Sequence, residues 1–547
     1  MTLDAEARAL LGEPDVTVSS APPESALVGG AHDAARRNER MLALWSPPLR
    51  SADLDLIPEK GTLDARTRDV LRNDAYVRGG AVIHQDNIVG SLYALNAKPV
   101  SRILGPGFDD TWEEEFQAEV EERFTLWAES PDNWVDASRV NTFTEMVRLA
   151  VGVHVAAGEV LASVEWLRDA GRPFNTAIQF IDTDRLSTPA TEPDNPRIVG
   201  GIEKNARGAP VAYHIRVAHP SDWRVPGRNM KWKRVPARKP WGRLQIIHIL
   251  EQHRPDQTRG VAEMVAALKE IRITKQFRDV VLQNAVVNAT YAASIESDLP
   301  SAEVFAALGG VDNPAEAMGQ WAASYLSQIA EYSGGARNLA LDGVRIPHLF
   351  PGTKLHLHKP GDGGPLGQDF EQSLLRYIAA ALGISYEQLS RDYTNTNYSS
   401  ARAAMAETWK RMGALKRMVA DRFATTIYRL WLEEVVNKGI LTSLPRAART
   451  EGWLYQDQRL DALSRCDWIG ASRGQIDELK ETQAAVLRLK YNLTTEEDEI
   501  ARMGRDWRAT KRQRAREKAM DRELSLETPD DPNMVNAISG DPRQKDV

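Results

Sequence analysis

The chain has 547 residues, of which 42% are hydrophobic and 27% are charged, which predicts a globular protein with about three or four structural units. The formal net charge of -7 and the pI near 5.9 argue against a protein that grips nucleic acid over its whole surface. The single cysteine, Cys466, excludes an intrachain disulfide framework. We expect no signal peptide and no membrane span, because the sequence contains no apolar run of the required kind.

The first half of the chain changes from helical to strand periodicity. Residues 1–58 are polar with paired prolines, and we expect an arm with little fixed structure. Apolar residues at helical spacing start at Leu63, and two further helices are predicted at 109–129 and 141–166. The period then becomes two, and Gly, Pro, Asn and Asp separate the runs. The predicted strands are 177–186, 197–205, 209–217 and 243–250, which together make a mixed α+β unit.

The second half is mainly helical. No proline or glycine follows Gly260, so the run from Arg259 to about Ala292 predicts a helix of roughly 50 Å. Residues 293–367 form a separate module that ends in a run of prolines and glycines. The later predictions in chain order are a helix at 369–383, a polar loop at 385–399, a long helix at 400–438, a helical cluster at about 471–524 and a disordered tail from Leu526.

Side chains that could carry chemistry are few. His356 and His358 alternate on a predicted strand, but no third ligand lies nearby, so a strand face is favoured over a metal site. Asp182 and Asp184 could form a carboxylate pair, but an ion pair or a strand-end turn is the favoured interpretation. Cys466 has no neighbouring base that would activate it. The sequence contains no P-loop motif, and we predict no catalytic residue, metal or cofactor.

The block from Phe370 to Trp409 carries the most informative pattern, a loop rich in Tyr, Thr, Asn and Ser between two strong helices. Taken alone, this loop would be an ordinary helix connection. The block closely resembles the portal proteins of tailed bacteriophages, in the lambda-type family. The resemblance continues in order along the chain at RNDAYVRGG (72–80), GAPVAYHI (208–215), RPDQTRGVAEMVAAL (254–268) and the segment 466–489. The residues that match the family's N-terminal signature are Arg66, Arg68, Leu71, Arg72, Asn73, Asn87, Val89 and Gly90.

The resemblance implies an α+β portal fold with long helices and a mixed α/β wing, assembled as a ring around a central channel. Carried over to this sequence, the parts are an N-terminal arm with partial disorder at 1–58, a wing at 59–257, a stem helix at 258–292, a clip at 293–367, a second stem helix at 368–384, a tunnel loop at 385–399, a long wing helix at 400–440, a connector at 441–465, a crown at 466–524 and a disordered tail at 525–547.

The implied role is structural and not enzymatic. A ring of about twelve copies would occupy one capsid vertex, and double-stranded DNA would be packaged and ejected through it. The implied partners are the major capsid and scaffolding proteins, the terminase large subunit that supplies the motor, and the head–tail connector. The protein would reside in the virion after assembly in the host bacterial cytoplasm. The alternative is a soluble DNA-processing enzyme such as a nuclease or a packaging ATPase.

The resemblance also implies three sets of site residues. The DNA-facing residues of the tunnel loop would be Arg391, Asp392, Tyr393, Thr394, Asn395, Thr396, Asn397, Tyr398 and Ser399. The clip residues that dock the terminase or connector would be Lys354, His356, His358 and Lys359. In the basic segment 501–523, either a solvated helix face or a crown surface that touches packaged DNA is expected. The candidate crown contacts are Arg505, Arg508, Lys511, Arg512, Arg514 and Arg516. The acidic stretch 112–122 is interpreted as an outer face that meets capsid or scaffold protein.

Overall fold

A computed structural model describes residues 44–224, 227–290, 368–394, 396–472 and 478–524, together with residue 526 and a few residues between 323 and 346. The chain divides into two compact units, one of residues 1–266 with 381–547 and one of residues 267–380. Among the described residues, no helix combines the length and the hydropathy needed to cross a bilayer.

Two helices come first among the described residues of the first unit. Helix α1 spans Ala52–Asn73 and begins where the Ser51 side chain accepts a hydrogen bond from the Leu54 N–H. It therefore starts inside the range 1–58 that was expected to be an arm. Helix α2 spans Ala75–Ile88, and the Asp74 carboxylate caps it by accepting from the N–H groups of Tyr76 and Val77. The segment RNDAYV (72–77) therefore contains the end of α1 and, directly after it, the beginning of α2.

A buried strand replaces the last part of the helix predicted at 141–166. Strand β1 is Ala94–Ala97, α3 is Ser101–Leu104, α4 is Asp110–Ala128 and α5 is Phe143–Ala157. The helix predicted at 141–166 is wrong beyond Ala157, because Gly158 has a φ of 74° and ends α5. Strand β2 then runs over Glu159–Trp166. Its first six residues are all buried, so no alternation shows in the letters, and a short apolar run of this kind cannot be told from a helix by periodicity.

Two antiparallel sheets surround one core in this unit. The next strands in chain order are β3 (Thr176–Phe180), β4 (Ile198–Val199), β5 (Ile202–Lys204), β6 (Pro210–Arg216), β7 (Trp232–Pro236) and β8 (Ile246–Leu250). One sheet has the order β3-β2-β8 and the other has the order β4-β5-β6-β7. Side chains from both sheets, including Leu161, Ile202, Tyr213 and Ile246, share a buried cluster. The predicted α+β class is confirmed.

The described residues of the second unit include parts of two helices and a hairpin. A 3-10 turn over Glu263–Ala267 leads into α6, which spans Leu268–Thr290. Strands β9 (Leu339–Leu341) and β10 (Val344–Ile346) pair antiparallel. Helix α7 is Gln368–Leu382, and its start contacts α6 through an Arg278–Glu371 ion pair of 2.8 Å and the Phe277 and Phe370 rings. The clip residues Lys354, His356, His358 and Lys359 lie outside the described residues.

The C-terminal elements return to the first unit. Helix α8 is Tyr386–Ser390, α9 is Tyr398–Leu415, a π-helical stretch covers Lys416–Asp421 and α10 is Arg422–Asn437. The remaining elements are α11 (Arg459–Leu463), β11 (Cys466–Ile469), α12 (Glu478–Lys490), α13 (Glu496–Arg502) and α14 (Trp507–Leu524). Strand β11 pairs antiparallel with β1, so a strand from the range expected to be crown completes a sheet with a strand from the range expected to be wing. The long predicted helix from 400 is real, with its π-helical stretch inside it.

Candidate functional site

The polar loop between α7 and α9 is shorter than the predicted 385–399. Ser385 and Gln388 form a reciprocal capping box that opens α8, which occupies the first part of the range. Arg391 then adopts a left-handed conformation with a φ of 57°. Asn397 caps α9 by accepting a hydrogen bond from the Ser400 N–H at 2.8 Å. The non-helical part of the loop is therefore Arg391 to Asn397.

One pair of side chains in this short loop, Asp392 and Thr394, is joined by hydrogen bonds. The Asp392 carboxylate accepts from the Thr394 hydroxyl at 2.6 Å and from its N–H at 3.1 Å, and these bonds hold the pKa of Asp392 below its ordinary value. The Tyr393 ring is 56% exposed. The main-chain N–H of Thr396 donates to the Tyr393 carbonyl at 3.2 Å. Asn395 and the side chain of Tyr398 lie outside the described residues, whereas Arg391, Thr394 and Ser399 are exposed.

Helix α2 supports the base of the loop. Gly80 packs so closely on this base that an added Cβ would meet Leu382 at 2.9 Å and both Ile384 and Leu389 at 3.5 Å. Leu389, on α8, is 4% exposed. The Gln388 side chain also accepts from the Thr408 hydroxyl on α9 at 3.0 Å. Two of the resembling segments, 72–80 and the block from Phe370, therefore meet where the loop is fixed to the rest of the unit.

A buried charge cluster holds the segment before α6. The Glu159 carboxylate is fully buried and accepts from Arg259 at 2.6 and 2.9 Å, from His248 at 3.1 Å and from the Gly260 N–H at 2.9 Å. Lys60 lies 3.3 Å from the same carboxylate. Burial opposes ionisation, but Arg259 and Lys60 hold the pKa of Glu159 well below its ordinary value. The carboxylate is thus an ionised centre that ties α1, β2, β8 and the segment 259–260 together.

The same segment makes a close backbone crossing. Gly158 has a φ of 74°, and a Cβ on it would lie 2.2 Å from the Val261 carbonyl carbon. A Cβ on Gly260 would lie 2.1 Å from the Gly158 oxygen. Only glycine fits at either position, because the backbones themselves are in contact. The crossing and the Glu159 cluster fix the path of the segment 259–261 within the first unit.

The carboxylate pair singled out in the sequence is a structural ion pair. Asp182 and Asp184 both accept from the Arg68 guanidinium, at 3.1 and 3.0 Å, and His219 lies 3.2 Å from Asp184. Arg68 and His219 hold the pKa of Asp184 below its ordinary value in spite of burial. The three side chains are close enough to bind a cation, but the guanidinium already occupies this position. Arg68, and not the neighbouring Arg185, is the partner, and it belongs to the N-terminal signature.

The candidate crown cations divide into two groups. Arg508 pairs with Glu121 at 3.0 Å, Arg512 pairs with Glu122 at 2.9 Å and Lys511 pairs with Glu496 at 2.6 Å. The basic helix α14 therefore lies on part of the acidic helix α4, which uses some of the acids expected to face a capsid or scaffold protein. Arg505, Arg514 and Arg516 make no ion pair with any residue that the structure describes.

Cys466 is half-buried, and its thiol is not activated. Burial raises the pKa of its thiol to about 12, so the thiolate is absent near neutral pH. The nearest hydroxyl, that of Thr425, lies 3.6 Å from its sulfur. The residue contributes to the start of β11.

One strongly basic segment, residues 216–243, is not among the features predicted from the sequence. The segment 216–243 contains nine Lys or Arg residues and one acid, Asp222, whereas the basic segment 501–523 contains nine and four acids. It also carries three exposed apolar side chains, Trp223, Met230 and Trp241. The signal in the sequence is the excess of cations over acids, which the strand periodicity of the same residues does not reveal.

Comparison with known proteins gives concordant results. Residues 38–416 match the family model described as phage portal protein, lambda family. The chain is 36% identical over 486 residues to the portal protein of Escherichia phage N15, with 89% of each chain covered. It is 34% identical over 500 residues to portal protein B of Escherichia phage lambda, with 91% of each covered.

Among solved structures, the chain is similar to a chain from the neck of an empty GTA particle, at 14% identity and a TM-score of 0.36, with 80% of this chain and 93% of that chain covered. The sequence relationships and the matched family model cover most of the chain. The prediction from the sequence is confirmed, and the chain belongs to the lambda family of phage portal proteins, which are structural components of the virion.

Proposed function

We propose that about twelve copies of this chain form a ring at one capsid vertex, and that double-stranded DNA passes through the ring during packaging and ejection. The observation that carries the proposal is the loop Arg391 to Asn397, an exposed polar loop on a buried support inside a chain of the portal family. The loop presents hydroxyl and amide groups, and its two charges are of opposite sign.

This composition suits a surface past which DNA slides. A neutral donor such as the side-chain NH2 of Asn397 would make short-lived hydrogen bonds to phosphate that exchange easily along the duplex. A ring of lysines would instead release counterions at every phosphate contact and hold the DNA. The bonds from Thr394 to Asp392 keep the loop in one shape without the help of a ligand. A net charge of -7 on each chain also disfavours tight DNA binding by the ring as a whole.

The partners follow from this placement. The clip residues Lys354, His356, His358 and Lys359 would dock the terminase large subunit during packaging and the head–tail connector afterwards. Capsid and scaffolding proteins would surround the ring during its assembly in the host cytoplasm. Of the crown cations, Arg505, Arg514 and Arg516 are the ones left for packaged DNA, since the other three are in ion pairs.

The protein would act without catalysis. The most enzyme-like group in the described residues, Asp182 with Asp184 and His219, is neutralised by Arg68 and is not arranged as a free metal site. We expect purified protein to hydrolyse neither DNA nor ATP. Magnesium-dependent turnover by the purified chain that is lost on Asp184→Asn would instead support the DNA-processing enzyme.

The test changes the charge of the loop alone. We expect the double variant Thr394→Lys/Thr396→Lys to assemble normally and to package or retain genome poorly, because each lysine adds phosphate affinity in the channel. The matched control is Thr394→Ser/Thr396→Ser, which keeps the hydroxyl groups and should package as wild type does. Full-length packaging by the lysine variant would contradict the role of the loop.

A further inference from the structure

The segment 216–243 forms a surface that is both basic and apolar. It includes the end of β6, strand β7 and the loops on either side of β7. Trp223, Met230 and Trp241 are 80%, 60% and 65% exposed. We call this segment the basic surface. Large apolar side chains at such exposure among many cations are typical of a surface that another molecule covers.

Most cations of the basic surface lack a carboxylate partner among the residues that the structure describes. Arg234 pairs with Glu203 and Arg243 pairs with Glu433. The other seven make no ion pair with any residue in the described ranges. They are Arg216, Arg224, Arg228, Lys231, Lys233, Arg238 and Lys239. Arg224 stands beside the Trp223 ring, with its guanidinium carbon 5.8 Å from the ring centroid, so charge and apolar area occur together.

Helix α4 carries the opposite arrangement. Asp110, Glu114 and Glu115 are exposed and make no ion pair with any described residue, although Glu121 and Glu122 on the same helix are paired with α14. Leu126 near the end of the helix is 77% exposed. We call Asp110, Glu114, Glu115 and Leu126 the acidic ridge. Each chain therefore exposes two complementary surfaces. The basic surface combines cations with tryptophans, and the acidic ridge combines acids with a leucine.

We propose that the basic surface of one copy docks on the acidic ridge of a second copy, and that this contact repeats around the ring. The inference rests on the proposed ring, because a contact between two different patches of identical chains is head-to-tail, and in a ring the rotation between neighbours closes the cycle. Lys233 and Arg234 on β7 also discourage strand pairing at the edge of the four-stranded sheet. Edge protection leaves the exposed tryptophans unexplained, whereas a covered interface accounts for them.

DNA fits this surface less well than a protein does. Phosphates need cations alone, and sequence-independent duplex binding gains little from Trp223, Met230 and Trp241. Tryptophan, methionine and arginine are the residues enriched at the centre of protein interfaces. The second copy also supplies both the acids and an apolar side chain, so every feature of the basic surface has a counterpart.

The test uses reciprocal charge reversals and mixing. Variant one is Arg228→Glu/Lys231→Glu on the basic surface, and variant two is Glu114→Lys/Glu115→Lys on the acidic ridge. Each alone should raise the protein concentration needed for assembly about tenfold, because attraction becomes repulsion at each contact. Mixed in equal amounts, the two should assemble again as rings in which they alternate. The control, Lys490→Glu/Arg446→Glu, makes the same change in net charge at exposed cations elsewhere.

Mass photometry of each sample at several salt concentrations gives the result. The inference is overturned if the wild type forms rings and variant one does so equally well, or if mixing restores nothing. It is also overturned, in favour of nucleic acid, if variant one assembles normally but binds linear duplex DNA more weakly in a gel-shift assay. A wild type that remains monomeric would overturn the ring as well, and this separates the failure of the proposed function from the failure of the interface alone.

Discussion

Arg259 provides the sharpest test of how the chain is held where it leaves the first unit. Replacing it with Met keeps much of the apolar stem but removes the guanidinium. Glu159 would keep Lys60 at 3.3 Å, His248 at 3.1 Å and the Gly260 N–H at 2.9 Å. It would lose the three contacts of 2.6, 2.9 and 3.1 Å from Arg259. Three backbone carbonyls, those of Leu186, Gly200 and Thr183, would also lose the hydrogen bond from Arg259, although the Leu186 N–H still donates to the Thr183 carbonyl.

The size of the effect follows from burial. The Arg259 side chain is 6% exposed and the Glu159 side chain is fully buried. Removing one partner of a buried pair costs about 3–5 kcal/mol, because the other charge remains buried without full compensation. For a unit of about 430 residues the entropy of unfolding is roughly 0.9 kcal/mol/K, so the melting temperature should fall by about 3–6 °C.

Thermal unfolding of the purified variant measures this directly. The matched control is Arg254→Met, five positions earlier in the same motif. Arg254 pairs with Asp55 at 2.8 Å, but the two side chains are 51% and 46% exposed. An exposed pair contributes about 0–1 kcal/mol, so the control should melt within about 1 °C of wild type. Equal melting temperatures for the two variants would refute the role assigned to the buried cluster.

Further predictions concern the same unit. Gly260→Ala should prevent normal folding because its Cβ would lie 2.1 Å from backbone, whereas Gly61→Ala meets nothing within 4 Å and should be neutral or stabilising in solubility and melting assays. The folded-state pKa of Glu159 lies well below its ordinary value and that of Glu119 is about 2, so both stabilise the fold above about pH 4.5. That stability is lost as pH falls from about 4.5 through the folded pKa values, so melting temperatures measured from pH 7 down to about pH 2 should show the loss, whereas a flat profile would contradict it. Arg508→Ala removes the contact to Glu121 and should speed proteolysis within α14, and unchanged digestion would show that the pair does not hold this helix.

The amino-acid sequence predicts local structure well where a helix or strand buries only one of its faces. Helix α4 has visible signatures of this kind, because Asp109 caps it and Trp112, Phe116 and Val120 are buried at helical spacing. The strand Glu159–Trp166 shows no alternation, since its first six residues are buried on both faces, and it was taken for helix. Gly158 was the signal in that stretch, a glycine just after a helical run.

The partners of charged residues were harder to predict. Arg68 pairs with Asp182 and Asp184 more than a hundred positions away, and Arg508 pairs with Glu121 across nearly four hundred. Such pairings depend on tertiary packing, which periodicity does not encode. Arg508 and Arg512 were therefore predicted to be available for DNA, although they are the cations that fasten α14 to α4. The basic surface at 216–243 needed only a count of charges.

The mass of the purified assembly is the most direct test of the central claim, which is that copies of this chain close into a channel. Native mass spectrometry at assembly concentrations should show one dominant species near twelve times 60.9 kDa, without open-ended series of higher mass. A spectrum that contains only the single chain under all conditions, or a ladder of sizes with no closed form, would contradict the account.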